Sequence, residues 1–293
     1  MRGYVSIVKA TALEMLSEPL SLLVLLAALV LTVMAPAFHY HQFGEATRMA
    51  RDAGFSALFT CGSVFAVFGT IRSCRRELES GTMGMALVHP LSATGVFLAK
   101  TAGALLAAFV FAVIVSCTML TIVNGAAIGG ALAARTCDIA RLWGPSFSLG
   151  LATIVAPLVL AAVLNRFGRF RFVPSAFALS LALAVSGLAY RPDLGLFLRT
   201  LPAVLALFAL LAVFLSAAAA FAMRFRANAA SACVGVTALV ALPFIGNYYL
   251  ADALSGGGTV GWATLALAVA AAAPAIAGFL LLGTHFLSEG DLT

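Results

Sequence analysis

The chain has 293 residues, of which 63% are hydrophobic and only 10% are charged, and its 17 Lys and Arg residues outnumber its 11 Asp and Glu residues. A water-soluble domain carries about 25% charged residues, so this composition excludes a soluble enzyme. The apolar residues occur in blocks close to the ~20 residues that cross a bilayer as a helix. The sequence therefore predicts an all-α, polytopic transmembrane helical bundle, because an isolated strand would leave its backbone unpaired in lipid.

The blocks predict about eight spans joined by connectors too short to form a separate extramembrane domain. This organisation divides the chain into an N-terminal segment, 1–19, and a single transmembrane domain, 20–293. The eight apolar runs cover residues 20–38, 53–71, 101–124, 146–164, 173–190, 201–223, 230–250 and 261–282.

The basic residues predict the orientation, because cytoplasmic connectors carry the excess of Lys and Arg. A cytoplasmic N-terminus places eleven of the 17 basic residues inside the cell, and an even number of spans then makes the C-terminus cytoplasmic as well. The eleven are Arg2, Lys9, Arg72, Arg75, Arg76, Lys100, Arg166, Arg169, Arg171, Arg224 and Arg226.

The first 19 residues have the pattern of an amphipathic helix lying in the cytoplasmic interface. The apolar face is formed by Val5, Val8, Ala12, Met15 and Leu16, and Pro19 predicts a bend into the membrane. A cleaved leader is the alternative, but a run of this length preceded by two glutamates, 14 and 18, favours a retained first span.

Residues with catalytic or metal-binding chemistry do not form recognisable motifs. The five cysteines have no C-x-x-C spacing and are interpreted as small apolar residues within helices. His39 and His41 lack an evident third ligand, so no metal site is predicted. No phosphate-binding loop of the form G-x-x-x-x-G-K-S/T is present, and the chain is not predicted to be an enzyme or to bind nucleic acid.

The connector 72–100 carries the most information. Its beginning can continue the preceding span as a helix, which Gly81 ends. Thr82 is a suitable cap for a short helix over 83–88, and His89 and Pro90 end that helix. Ser92 then caps the following span, so the connector presents a short apolar helix that requires a protein groove.

The residues of this connector resemble the signature of type-2 ABC transporter permeases. The pattern comprises an acidic stretch, Gly-Thr, a short leucine-containing helix, Pro, Ser and a Lys that opens the next span. The residues that match are Glu77, Glu79, Gly81, Thr82, Leu87, Pro90, Ser92, Phe97, Leu98 and Lys100. The resemblance covers 1–124 well and 224–292 loosely, and permeases associated with maturation of multicopper enzymes look similar.

The resemblance implies a transmembrane permease subunit of an ATP-driven exporter in the bacterial cytoplasmic (inner) membrane. Residues after Gly81 would form a coupling helix that docks on a separate ATPase subunit, which holds the ATP and Mg²⁺. This chain itself is expected to need no cofactor, and its expected partners are that ATPase, a second permease subunit of the same or another kind, and the lipid bilayer. The residues assigned to coupling are Glu77, Glu79, Gly81, Thr82, His89 and Pro90.

Two basic clusters are candidates for a second contact with the ATPase, or alternatively for contact with anionic lipid. They comprise Arg166, Arg169 and Arg171 in one connector and Arg224 and Arg226 in another. Members of the family commonly have six spans, so either the hairpin 146–190 is an addition or some of the eight runs do not cross.

Two other classes of function remain open. An autonomous channel or facilitator would transport without an ATPase, although no charged residue occupies the middle of a predicted span. A membrane assembly factor would bind partners without transporting. Nothing in the sequence identifies a substrate.

Overall fold

The computed structural model describes residues 2–34, 46–79, 92–136, 145–168, 170–190, 194–245 and 261–290. Within these ranges the chain forms nine helices and short connectors, with no strand, as the sequence predicts. The helices are α1 (Arg2–Ser17), α2 (Pro19–Met34), α3 (Ala46–Glu79), α4 (Ala93–Thr136), α5 (Pro145–Gly168), α6 (Phe172–Tyr190), α7 (Leu194–Arg224), α8 (Ala227–Ile245) and α9 (Trp262–Gly290).

Six of the described helices are long and apolar enough to cross a membrane: α3, α4, α5, α6, α7 and α9. Helices α1 and α2 form a pair bent by 66° that meets the same criteria as one broken span, which makes the number six or seven. Helix α8 is apolar but shorter over Ala227–Ala238. The chain is thus a multi-pass helical membrane protein, whereas eight crossings remain a prediction.

Contacts between helix termini define the two ends of the bundle. We call the end that carries α1 the elbow end. There Gly95, at the start of α4, lies against the ring of Tyr4, and Gly283, near the end of α9, lies against the ring of Phe97. The N-terminal helix and the end of the last helix therefore occupy the same end of the bundle.

The opposite end, which we call the far end, is defined by the other termini of the same helices. Val33 near the end of α2 lies close to Gly150 near the start of α5. Gly187 near the end of α6 packs on Thr121 of α4. Helices α2, α4 and α6 thus run toward the far end, while α5 returns from it.

Helix α4 is the centre of the bundle, since it packs against α1, α2, α3, α5, α6, α7 and α9. It has 44 residues, or ~66 Å at 1.5 Å per residue, about twice the thickness of a hydrocarbon core. Within the apolar part of this helix 78% of residues are buried. Phe111 of α4 stacks on Phe65 of α3 with ring centroids 4.9 Å apart. Movement of α4 would therefore reach nearly all of the bundle.

Helix α1 packs on α4 through a face that differs in part from the predicted one. Ala12 and Met15 are buried as the pattern indicates, but Thr11 is buried too, and Val5 is 54% exposed. The reason is the close approach permitted by Gly103 of α4, where an added Cβ would lie 2.6 Å from the carbonyl oxygen of Val8. The contact with α4 therefore determines which face of α1 is turned inward.

The described cysteines are located as the sequence predicts. Cys61, Cys74, Cys117 and Cys233 all lie in helices, and Cys74 and Cys117 are buried among apolar neighbours. His39, His41 and Cys137 lie outside the described residues. Among the residues that are described, no three His, Cys, Asp or Glu side chains come together to hold a metal ion.

Candidate functional site

The junction between α1 and α2 is a one-residue elbow at Glu18. Helix α1 ends at Ser17 and α2 begins at Pro19, with the 66° bend between them. The carbonyl oxygen of Glu18 accepts hydrogen bonds from the backbone N–H groups of Ser21, at 3.1 Å, and Leu22, at 3.4 Å. Proline suits the first helical position because its fixed φ matches that of a helix. An N–H group at this position would have no acceptor within the helix, so nothing is lost by its absence. The predicted bend at Pro19 is confirmed.

Acidic residues of the elbow pair with basic residues at the end of α3, and we call Glu14, Glu18, Arg72, Ser73 and Arg76 the elbow cluster. Arg72 Nε lies 3.1 Å from Glu18 Oε2, and Ser73 Oγ donates to Glu14 Oε2 at 3.0 Å. Arg76 Nη1 lies 3.9 Å from Glu14 Oε1 and 3.8 Å from Glu18 Oε1. The cluster fastens α1 to α3 at the elbow end.

Burial within the elbow cluster is uneven. The side chain of Glu18 is 14% exposed and that of Glu14 is 26% exposed, whereas those of Arg72 and Arg76 are 61% and 68% exposed. A carboxylate taken largely out of water needs a cationic partner to offset its desolvation, while an exposed guanidinium retains its hydration. The arginines therefore stabilise the buried carboxylates and keep N–H groups available to other ligands.

A cavity of about 600 Å³ lies beside the elbow cluster, and we call it the elbow cavity. Its charged lining consists of both glutamates, both arginines of the cluster, and Arg171 from the residues just before α6. The remaining lining residues are Ala10, Leu13, Ser17 and Pro19. Residues from three separate parts of the sequence thus meet at one polar cavity.

The predicted coupling segment joins α3 to α4 at this end of the bundle. Glu77 and Glu79 lie in the last turn of α3, which continues past the apolar run as predicted. Gly81, Thr82, His89 and Pro90, with the predicted short helix 83–88, lie outside the described residues. The segment therefore leaves from the helix that carries Arg72 and Arg76.

The start of α4 has the predicted cap. The Oγ of Ser92 accepts a hydrogen bond from the backbone N–H of Gly95 at 3.2 Å, and its carbonyl oxygen accepts one from Val96 at 3.0 Å. Satisfying otherwise unpaired N–H groups in this way fixes where a helix begins. The resemblance places Lys100 at the opening of the span. In the structure Lys100 lies within α4, seven residues after its first residue, and is 3% exposed.

The structure describes four of the five arginines predicted as a second contact. Arg166 and Arg224 lie in the last turns of α5 and α7, Arg226 lies just before α8, and all three are exposed. Only Arg171 lines the elbow cavity, and Arg169 lies outside the described residues. Cations in a last helical turn interact favourably with the partial negative charge of that end, which is a sufficient local reason for Arg166 and Arg224.

Glu14 and Glu18 are the site residues that the sequence interpretation missed, since it used them only to argue against a cleaved leader. The available signal was their spacing. The two glutamates are four residues apart on one helix, and Arg72 and Arg76 are four residues apart on another. Equal spacing of opposite charges on two helices that share an end predicts that they pair face to face.

The comparisons with known proteins give no assignment. No protein-family model, curated protein or solved structure matches the chain. The interpretation of the site therefore rests on the residues and contacts described above.

Proposed function

We propose that the chain is a transmembrane permease subunit of an ATP-driven ABC exporter in the bacterial cytoplasmic membrane. In this proposal the elbow end faces the cytoplasm, all eight apolar runs cross the bilayer, and the connector 80–91 docks on a separate ATPase subunit. The observation that carries it is the position of this connector, which joins the end of α3 to the start of α4, the central helix.

The attachment of the connector supports transmission of movement. At its first end, α3 is one continuous helix of 34 residues from the far end to Glu79. At its second end, Ser92 caps the first turn of α4. A force on the connector would therefore act on two long helices. The ATPase can shift the conformation of these helices only if its contacts with the connector differ between two states.

The elbow cluster supports the same role for α1. The ion pairs to Arg72 and Arg76 lie one to two turns before Glu79 on α3. A displacement of the end of α3 would therefore carry α1 with it. ATP and Mg²⁺ belong to the partner subunit in this proposal, and this chain supplies the movement rather than the hydrolysis.

The outer surface of the bundle supports association with lipid and with a second permease subunit, identical or different. In the apolar part of α9 0% of residues are buried, although α9 packs along α7. Trp262, Leu267 and Leu281 are 56%, 61% and 71% exposed. Such a face requires an apolar environment.

The test isolates the affinity-tagged full chain from its native membranes and measures the stoichiometry and ATP hydrolysis of a co-purifying ATP-binding subunit. We expect deletion of 83–88, or the double change Glu77→Lys with Glu79→Lys, to remove that subunit while membrane insertion is retained. The matched control is Arg199→Glu, a charge reversal at an exposed position near the start of α7 at the far end.

Each alternative function gives a different result in these experiments. Unchanged ATPase binding after deletion of 83–88 would contradict the proposed coupling. Transport by the chain alone in liposomes would favour a facilitator. A bound ATPase without any nucleotide-dependent change in the accessibility of α4 would favour an assembly factor.

A further inference from the structure

The elbow cavity has the size and position of a site for a lipid headgroup. Its volume of about 600 Å³ falls within the ~300–1,000 Å³ typical of ligand sites. It lies where α1 bends into the apolar helix α2. The interfacial position predicted for α1 puts this bend at the level where a bilayer changes from headgroups to acyl chains. A ligand there would contact both polar and apolar regions of the protein.

The charges of the cavity favour an anion. Two carboxylates and three guanidiniums line it, which gives a net charge of +1. Arg72 and Arg76 pair with the two carboxylates. Arg171 is exposed and forms no ion pair with any residue in the described part of the chain. One negative charge, such as a phosphodiester, would complete the balance at Arg171.

Beside the cavity, α2 and α3 form a shallow apolar recess, which we call the groove. The groove shares Glu18 and Arg72 with the cavity, so the two lie side by side. Its apolar lining includes Leu20, Val64 and Phe68, which are 42%, 40% and 48% exposed. A soluble phosphate compound would leave this groove unused, whereas an acyl chain of a bound lipid would lie along it.

We propose that the elbow cavity and the groove together bind one anionic glycerophospholipid. The phosphodiester pairs with Arg171 and with the outward N–H groups of Arg76, and one acyl chain lies along Leu20, Val64 and Phe68. A zwitterionic lipid fits less well, because its ammonium would meet carboxylates already paired with arginine. The bound lipid bridges α1, α3 and the start of α6.

The test measures lipid binding to the purified full-length chain in detergent by native mass spectrometry. The probes are phosphatidylglycerol and phosphatidylcholine with the same acyl chains, and glycerol 3-phosphate as a head without chains. We expect phosphatidylglycerol to bind roughly fivefold more tightly than phosphatidylcholine, the effect of about one basic residue at an anionic surface. The assay contains no ATPase, so its outcome is independent of the transport proposal.

Variants separate this site from general attraction of anionic lipid. Arg171→Gln should remove the preference for phosphatidylglycerol, and Arg171→Lys should retain it. Arg226→Gln, which removes an exposed charge at the same end but outside the cavity, should leave it unchanged. Val64→Trp, which places a bulky ring over the groove, should weaken binding of both lipids several-fold, and monodispersity confirms that each variant is folded.

Three results would overturn the proposal. The first is equal binding of the two lipids by the unmodified chain. The second is an equal loss of preference in Arg171→Gln and Arg226→Gln, which would mean diffuse attraction. The third is binding of glycerol 3-phosphate as tight as that of phosphatidylglycerol, which would assign the cavity to a soluble phosphate compound.

Discussion

Helices α4 and α9 are similar in apolar character but occupy opposite environments in the bundle. In the apolar part of α4 78% of residues are buried, against 0% in α9. In a water-soluble protein, two helices this apolar would both have to be buried. In a membrane, a lipid tail is as apolar as a leucine side chain, so hydropathy does not decide which helix is central. Close packing at particular small residues distinguishes the two helices.

Glycine contacts illustrate the difference. On α4, Gly95 lies against Tyr4 and Gly103 lies against the backbone of α1. On α9, Gly283 makes such a contact with Phe97, but an added Cβ at Gly278 would meet nothing within 4 Å. Small residues promote association of membrane helices only where another helix makes use of the space.

The largest effect is expected for Gly103→Leu compared with Gly278→Leu. Even a methyl group at 103 would lie 2.6 Å from a backbone oxygen that cannot move away alone, so leucine should force α1 off α4. Overpacking typically costs ~1–3 kcal/mol and sometimes more. We expect Gly103→Leu to give little monodisperse protein on size-exclusion chromatography in detergent and Gly278→Leu to behave as the unmodified chain. Equal loss in both would contradict the central position of α4.

A smaller effect is expected for Phe111→Ala compared with Leu281→Ala. Phe111 is fully buried and stacks on Phe65, whereas Leu281 is 71% exposed. In a soluble core Phe→Ala costs ~3–5 kcal/mol. In a membrane protein the unfolded chain remains in an apolar medium, so the loss of stability comes mainly from the cavity and the lost dispersion contacts. We expect a loss of ~2 kcal/mol for Phe111→Ala and almost none for Leu281→Ala.

Thermal inactivation in detergent, followed by the remaining monodisperse fraction, measures both variants. If Leu281→Ala proves as costly as Phe111→Ala, the exposed face of α9 is covered in the purified protein. A second permease subunit would then be the first explanation to examine.

The next effect is expected for Ser92→Ala compared with Ser288→Ala. Ser92 caps α4 by accepting a hydrogen bond from Gly95, whereas Ser288 on α9 only donates to the carbonyl oxygen of His285 within the same helix. Loss of an N-terminal cap costs ~1 kcal/mol, and loss of such a donation within the helix costs almost nothing. The same thermal assay should show destabilisation only for Ser92→Ala, and Ser92→Asp should restore stability.

Features that depend on neighbouring residues could be predicted from the sequence. Pro19 bends the chain and Ser92 starts α4 through interactions within four residues, so their types and positions suffice. The continuation of α3 to Glu79 likewise follows, because no glycine or proline lies between Gly69 and Gly81.

Features that depend on packing could not be predicted in the same way. Ser73 and Glu14 are 59 residues apart in the sequence, and their contact requires that α1 and α3 meet at one end. The exposure of Val5 follows from how α1 rests on Gly103, which the pattern of α1 alone does not contain. The resemblance concerns the connector 72–100 above all, and the function it implies stays a prediction until the ATPase is tested.

The smallest effect is expected for Gly278→Ala on α9. In a water-exposed helix this change stabilises by ~0.5–1 kcal/mol, because glycine loses more backbone freedom on folding. A membrane helix is already formed before the bundle packs, because its backbone groups must be hydrogen-bonded in lipid whether or not the helices are packed. The gain in stability from Gly278→Ala should therefore fall to about a few tenths of a kcal/mol or less. Thermal inactivation in detergent should therefore be nearly unchanged.

If Gly278→Ala is neutral in detergent but destabilises the complex in native membranes, another helix packs at that glycine. The environment of α9 would then resemble that of α4 in the assembled protein. A clear stabilisation in detergent would instead mean that α9 is partly unfolded there, because only an unformed helix gains from the lower backbone freedom of alanine. Helices α4 and α9 would then differ in how completely they are folded, and not only in how they pack.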